Sequence, residues 1–113
     1  MKRGEVVFLD WPFSDRTGSK VRPAVVVQAD FLNGRLADTV LVLISRTSRA
    51  PGVTEVLLDP AVETLSGLRH VSVASCNNLL TVDQGLIVRT VGQLSNAAMA
   101  QVDAALKTAL QLP

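Results

Sequence analysis

Cysteine and histidine each occur once in the 113 residues, as Cys76 and His70. A lone thiol excludes an internal disulfide and fits a cytoplasmic location. With one thiol and one imidazole, a zinc site would need carboxylates, and no ligand spacing suggests one; no metal and no cofactor is expected. Long hydrophobic runs are also missing. The longest, Val40 to Ile44 and Ala24 to Val27, fall far short of the roughly 20 residues that a membrane-spanning helix needs, so no contact with a membrane is expected. The opening Met-Lys-Arg-Gly-Glu leads directly into a strand-like segment, with no secretory hydrophobic region before it. Glycine-rich phosphate loops, a Gly-x-Ser-x-Gly elbow, His-Glu-x-x-His and Cys-x-x-Cys are all absent, which leaves the common cofactor-enzyme templates without support. Cys76 and His70 lie six residues apart in a strand-rich segment, and a core thiol with a surface histidine is the simpler reading of them.

Charge of either sign is scarce in total. The net charge is +1, too small to mark a nucleic-acid binder through the field of the whole protein. Its distribution is uneven: residues 1–49 carry eight basic against five acidic residues, and residues 50–113 three against five. What the chain has in quantity is hydrophobic residues, 48% beside 19% charged, the balance of a globular protein. The length suits one domain covering 1–113, large enough to bury its own core.

Short apolar runs separated by polar or glycine-containing segments point to a compact, mainly β fold. Strands are expected over Glu5 to Trp11, Arg22 to Gln28, Asp38 to Ser45, Val53 to Leu58, His70 to Ser75, and within Gly85 to Val91. The first is apolar on both faces at Val6, Val7, Phe8 and Leu9. Pro23 falls at the expected start of the second strand, where a missing N–H is tolerated, and holds Arg22 extended. Cys76 to Asp83 is expected to turn the chain. A helix begins after Ser95, a plausible N-cap, with Met99, Val102, Leu106 and Leu110 at spacings of three and four as its packing face.

Chemistry concentrates in the loop between the first two strands, with Arg22 at its end, and in Ser45, Arg46 and Thr47 where the third strand finishes. An arginine fork fixed at a strand start grips a phosphate through two parallel hydrogen bonds, and a nearby hydroxyl orients one phosphate oxygen. Trp11 and Phe13 flank the loop. Either offers a face to an unstacked base, although core packing is the default for Trp11.

These residues resemble the MazF/PemK family of toxins. The resemblance runs through the opening Lys-Arg-Gly-Glu-Val-Val-Phe-Leu-Asp and through Val21-Arg22-Pro23-Ala24-Val25-Val26-Val27-Gln28. It continues in Ser66-Gly67-Leu68, Ser72-Val73, Leu79-Leu80-Thr81-Val82-Asp83 and Val91-Gly92-Gln93-Leu94-Ser95. Each piece is short, yet together they cover nearly the whole chain in order. The resemblance implies an SH3-like β barrel of the CcdB/MazF/PemK type with a C-terminal helix, working as a homodimer. It implies a metal-free endoribonuclease, an mRNA interferase, that cuts single-stranded RNA at short sequences. Attack by the nucleotide's own 2′-hydroxyl would leave a 2′,3′-cyclic phosphate and a 5′-hydroxyl end. A cognate antitoxin would block the site, and DNA would be met only through the toxin-antitoxin complex.

By position, the family's active-site arginine falls on Arg22 and its catalytic threonine on Ser45. Phe13, Arg16, Thr17, Lys20, Arg46, Thr47, Asn77 and Asn78 are the accompanying candidates for RNA contact. Thr47 and Asn78 stand where some members have glutamine. Thr17 stands where some have an acid, with Asp15 the nearest carboxylate; His70 matches no catalytic position. The related CcdB toxins share the barrel but poison DNA gyrase through a protein contact, so fold alone leaves a binding toxin or an inactive regulatory module as alternatives. Retention of both Arg22 and Ser45 favours the nuclease.

Overall fold

The computed structural model describes residues 1–12, 15 and 17–113. Six strands form one antiparallel sheet that curls on itself: β1 (Glu5–Pro12), β2 (Ser19–Val26), β3 (Asp38–Arg46), β4 (Glu55–Leu58), β5 (Ser72–Asp83) and β6 (Arg89–Gln93), in the spatial order β4-β5-β3-β2-β1-β6. A short helix α1 (Asp30–Asn33) joins β2 to β3, and α2 (Asn96–Leu110) closes the chain. This is the barrel-with-helix architecture expected from the sequence.

Its core lies on both faces of the sheet, as the doubly apolar first strand requires. Val6 joins Val25, Val42, Ile44 and Ala74 in a layer completed by Ala98, Val102 and Ala105 of α2, with Met99 and Leu106 against it. Val7, Leu9 and Trp11 join Ala24, Val26, Leu41 and Leu43 on the other face. Each fully buried Val or Leu contributes about 1.5–3 kcal/mol. The packing face read from α2 holds except at Leu110, which is exposed. Ser95 is the N-cap: its hydroxyl accepts from the Ala98 amide.

Two local expectations are corrected and one element is added. The second strand begins at Ser19, so Pro23 lies inside it. Toward β3 the ladder stops at Ala24–Leu43, one residue short of Pro23, which has no N–H to extend it. The chain does not turn at Cys76 to Asp83; β5 runs through all of it. The polar Asn77-Asn78 pair belongs to a bulge instead. Val42 opposes Leu79 while Leu43 opposes Ser75, which leaves Cys76, Asn77 and Asn78 as extra residues on β5. Finally, α1 was not foreseen, because four residues are too few for periodicity to show.

Candidate functional site

The register of β2 and β3 brings the two leading candidates together. Ala24 stands opposite Leu43; two residues further along each antiparallel strand come Arg22 and Ser45, on the same face as that pair. Toward its other neighbour, Arg22 opposes Leu9 of β1. Both Arg22 and Ser45 are half-buried and line one cleft of about 1020 Å³.

Among the described residues, five lysines and arginines line this cleft: Lys20, Arg22, Arg46, Arg69 and Arg89. No carboxylate is among the described residues that line it. A chain of net charge +1 thereby presents a local concentration of positive charge, which a concave wall focuses. Within it, the Arg22 Nε–H is buried and has no hydrogen-bond partner among the described residues. An orphan donor of this kind costs about 1–3 kcal/mol, and an anionic oxygen entering the cleft would offset that cost. A smaller cavity between β4 and α2, of about 330 Å³, is lined mainly by apolar side chains and Glu55, without a cation.

The opposite wall of the cleft is the segment Gly67, Leu68, Arg69 and His70 together with Arg89, Thr90 and Val91 of β6. Two glycines hold these pieces together. A Cβ on Gly67, whose φ is +74°, would lie 2.3 Å from the Val91 carbonyl oxygen, and one on Gly92 would lie 2.2 Å from that of Leu65. The Gln93 amide donates to the Leu65 carbonyl at 2.9 Å. Just beyond, the buried Glu63 carboxylate accepts from the amide and hydroxyl of Ser95, at 2.7 and 2.8 Å. The Ser66-Gly67-Leu68 and Val91-Gly92-Gln93-Leu94-Ser95 segments quoted from the sequence are therefore one packed unit that carries the cleft wall.

Of the sequence candidates, Arg22, Ser45, Lys20 and Arg46 meet at the cleft. Thr17, Thr47, Asn77 and Asn78 are not among its lining residues. The Thr47 hydroxyl accepts from the Arg49 amide, and Asn77 accepts from the Thr54 hydroxyl. Phe13 and Arg16 lie outside the described residues. Asp15, the carboxylate nearest in sequence to the missing acid, accepts from the Thr17 amide and hydroxyl at 3.0 and 2.8 Å. The amide bond first, then the hydroxyl bond, holds its carboxyl below the usual value and makes it a weaker base. Trp11 is core. Cys76 is core too, its thiol pushed up to about 11 by burial, which removes it as a nucleophile. Sequence reading missed Phe8, Arg69, His70 and Arg89 at the cleft, since only the fold brings β6 and the segment before β5 to β2.

Comparison with known proteins places this geometry. Residues 2–110 match the family described as PemK-like, MazF-like toxins of type II toxin-antitoxin systems. The chain belongs to this toxin family. A curated relative, the endoribonuclease MazF9 of Mycobacterium tuberculosis (strain ATCC 25618 / H37Rv), is 33% identical over 118 residues, covering 99% of this chain and 98% of that protein. An endoribonuclease solved in complex with its cognate antitoxin, from a mycobacterial species, superposes with a TM-score of 0.81 at 25% identity, over 100% of this chain and 97% of that one. The MazF of a MazE–MazF complex from Deinococcus radiodurans shares the fold, with a TM-score of 0.73 at 22% identity, over 100% and 98% of the two chains.

Proposed function

We propose that this MazF-like chain cuts single-stranded RNA in the basic cleft, with Arg22 and Ser45 acting on the scissile phosphate. Its endoribonuclease activity follows from family membership and the curated relative. The observation that carries the site is the buried Arg22 Nε–H, without a partner among the described residues, in a cleft lined also by Ser45 and with five cations in all.

The reaction is in-line attack by the 2′-hydroxyl of the nucleotide at the cut. Its oxygen bonds to phosphorus as the bond to the 5′-oxygen breaks; the 2′-hydroxyl gives up its proton and the departing oxygen gains one. The ends left are a 2′,3′-cyclic phosphate and a 5′-hydroxyl. Arg22 remains charged, because a guanidinium pKa exceeds about 12, and it offsets the negative charge that builds on the non-bridging oxygens. The Ser45 hydroxyl orients the phosphate or the attacking group. Lys20, Arg46 and Arg69 hold the flanking backbone, which supplies affinity without sequence information. A MazE-like antitoxin is the natural inhibitor, and an acidic segment seated in this cleft is the form of inhibition that its charge favours.

The test is cleavage of one long RNA by purified protein, with both new ends mapped chemically. EDTA should leave the rate unchanged, since the nucleophile is the RNA's own hydroxyl. Substrates with a 2′-deoxy or 2′-O-methyl sugar at the mapped cut should resist. Efficient cutting of either would overturn the mechanism. Inhibition of gyrase without RNA cleavage would favour the CcdB-like alternative.

A further inference from the structure

The residues carried over from the family for chemistry, Arg22 and Ser45, lie on the β2–β3 wall of the cleft, and Arg89 on the β6 wall is left without a role. On that wall Arg89 and Phe8 are cross-strand partners in the β1–β6 ladder, and the Arg89 guanidinium carbon lies 5.3 Å from the centre of the Phe8 ring. The Phe8 carbonyl also accepts from the Val88 amide at 2.8 Å, which fixes the backbone beneath the stack. Phe8 is half-buried and Arg89 exposed. A guanidinium resting on an aromatic face keeps its in-plane N–H donors free, and among the described residues no carboxylate forms an ion pair with Arg89.

Arg89 is a second, separately mounted fork in the cleft that holds Arg22. Arg22 opposes Leu9 on β1, and Arg89 opposes the adjacent Phe8 from β1's other side. Their backbones are therefore two strand spacings apart, about 10 Å, and because Leu9 and Phe8 are consecutive on β1 the two side chains leave the sheet from opposite faces and reach the one cleft that both line. That separation suits two phosphates of an extended strand better than one. We propose that Arg89, braced on Phe8, binds the phosphate of a nucleotide flanking the cut and so sets RNA affinity and minimum substrate length, while Arg22 serves the reacting phosphate. This rests on the nuclease reading above and adds a binding subsite to it.

The experiment compares the parent with Arg89→Ala, Arg89→Gln and Phe8→Leu. The probes are a dinucleotide spanning the mapped cut and a longer oligonucleotide extending several nucleotides on both sides, each also prepared with a 2′-deoxy sugar at the cut to measure binding alone. On the longer probe both Arg89 variants should bind roughly tenfold more weakly, the scale of one charge-assisted hydrogen-bonded contact. The slope of log affinity against log salt should fall by about 0.7, one phosphate's share on a single strand. The rate at saturating RNA should stay at the parental value. Phe8→Leu should show a smaller loss in the same direction at an unchanged melting temperature; should it melt early, the Arg89 pair decides. On the dinucleotide, parent and Arg89 variants should be indistinguishable. Equal losses on both probes would place Arg89 at the reacting phosphate, and parental binding of the longer probe would remove it from the RNA site; either overturns the proposal. Failure of the parent itself to cut RNA would instead strike the underlying reading.

Discussion

At the scale of single residues, the difference between Arg22 and its neighbours is the nature of what each lacks. Lys20, Arg46 and Arg69 are exposed cations, whereas Arg22 carries a buried donor without a partner among the described residues. Replacing it by Ala should lower cleavage by about two to three powers of ten, the scale of a lost oxyanion donor, with a much smaller loss of RNA affinity. Arg22→Lys should restore little, because an ammonium lacks the planar fork. Ser45→Ala should cost less than Arg22→Ala, and Ser45→Thr should stay active, since it keeps the hydroxyl and adds a methyl group. Single-turnover rates with a separate binding measurement check all four. A folded Arg22→Ala protein that cuts at the parental rate would show that the site lies elsewhere. Arg22 and Ser45 could be singled out in the sequence because the family motif marks their positions, although Arg22 falls inside β2 and not at its start. Arg69, His70 and Arg89 could not, because the wall they form exists only after β1 has paired with β6, across more than half the chain.

Elements show the same division between local and assembled information. The α2 stripe and its Ser95 cap could be read directly, since cap and periodicity are properties of neighbours in sequence. The β5 bulge could not. Asn-Asn has turn chemistry in either setting, and only the β3 partner decides whether three extra residues reverse the chain or bow out of a continuous strand. Nor did the sequence disclose that Ser95 also serves Glu63, 32 residues away. Ser95→Ala should therefore exceed an ordinary cap deletion of about 1 kcal/mol, because a buried carboxylate loses one of its two donors as well. Gly92→Ala should cost more still, as its Cβ would meet the Leu65 carbonyl oxygen at 2.2 Å and backbone has to move. Denaturant midpoints for the two variants test this order; Gly92→Ala as stable as the parent would mean that the 63–70 segment is not locked to β6.

For the molecule as a whole, the sequence total of +1 concealed what matters. A net charge of +1 coexists with a cleft of five cations, because no carboxylate among the described residues lines it, while Glu55 is bonded to Arg49 and Glu63 to Ser95 away from it. Large apolar side chains also remain on the surface, among them Phe31, Val53, Val62, Leu65 and Leu86. A symmetric pair would cover part of that area with one patch used twice. Sedimentation at micromolar concentration should give twice the 12.0 kDa chain mass, and a monomer there would count against pairing.

The three-pair ladder of β2 on β3 has one more consequence. Guanidinium and hydroxyl come side by side only while Val25 faces Val42, and a slip of one residue would send one of them through to the opposite face of the sheet. With the site proposed above, a chain paired out of register would lose its cutting activity with every side chain intact. Activity would then be a property of completed folding, open to loss through this one pairing without any change in the chemical groups.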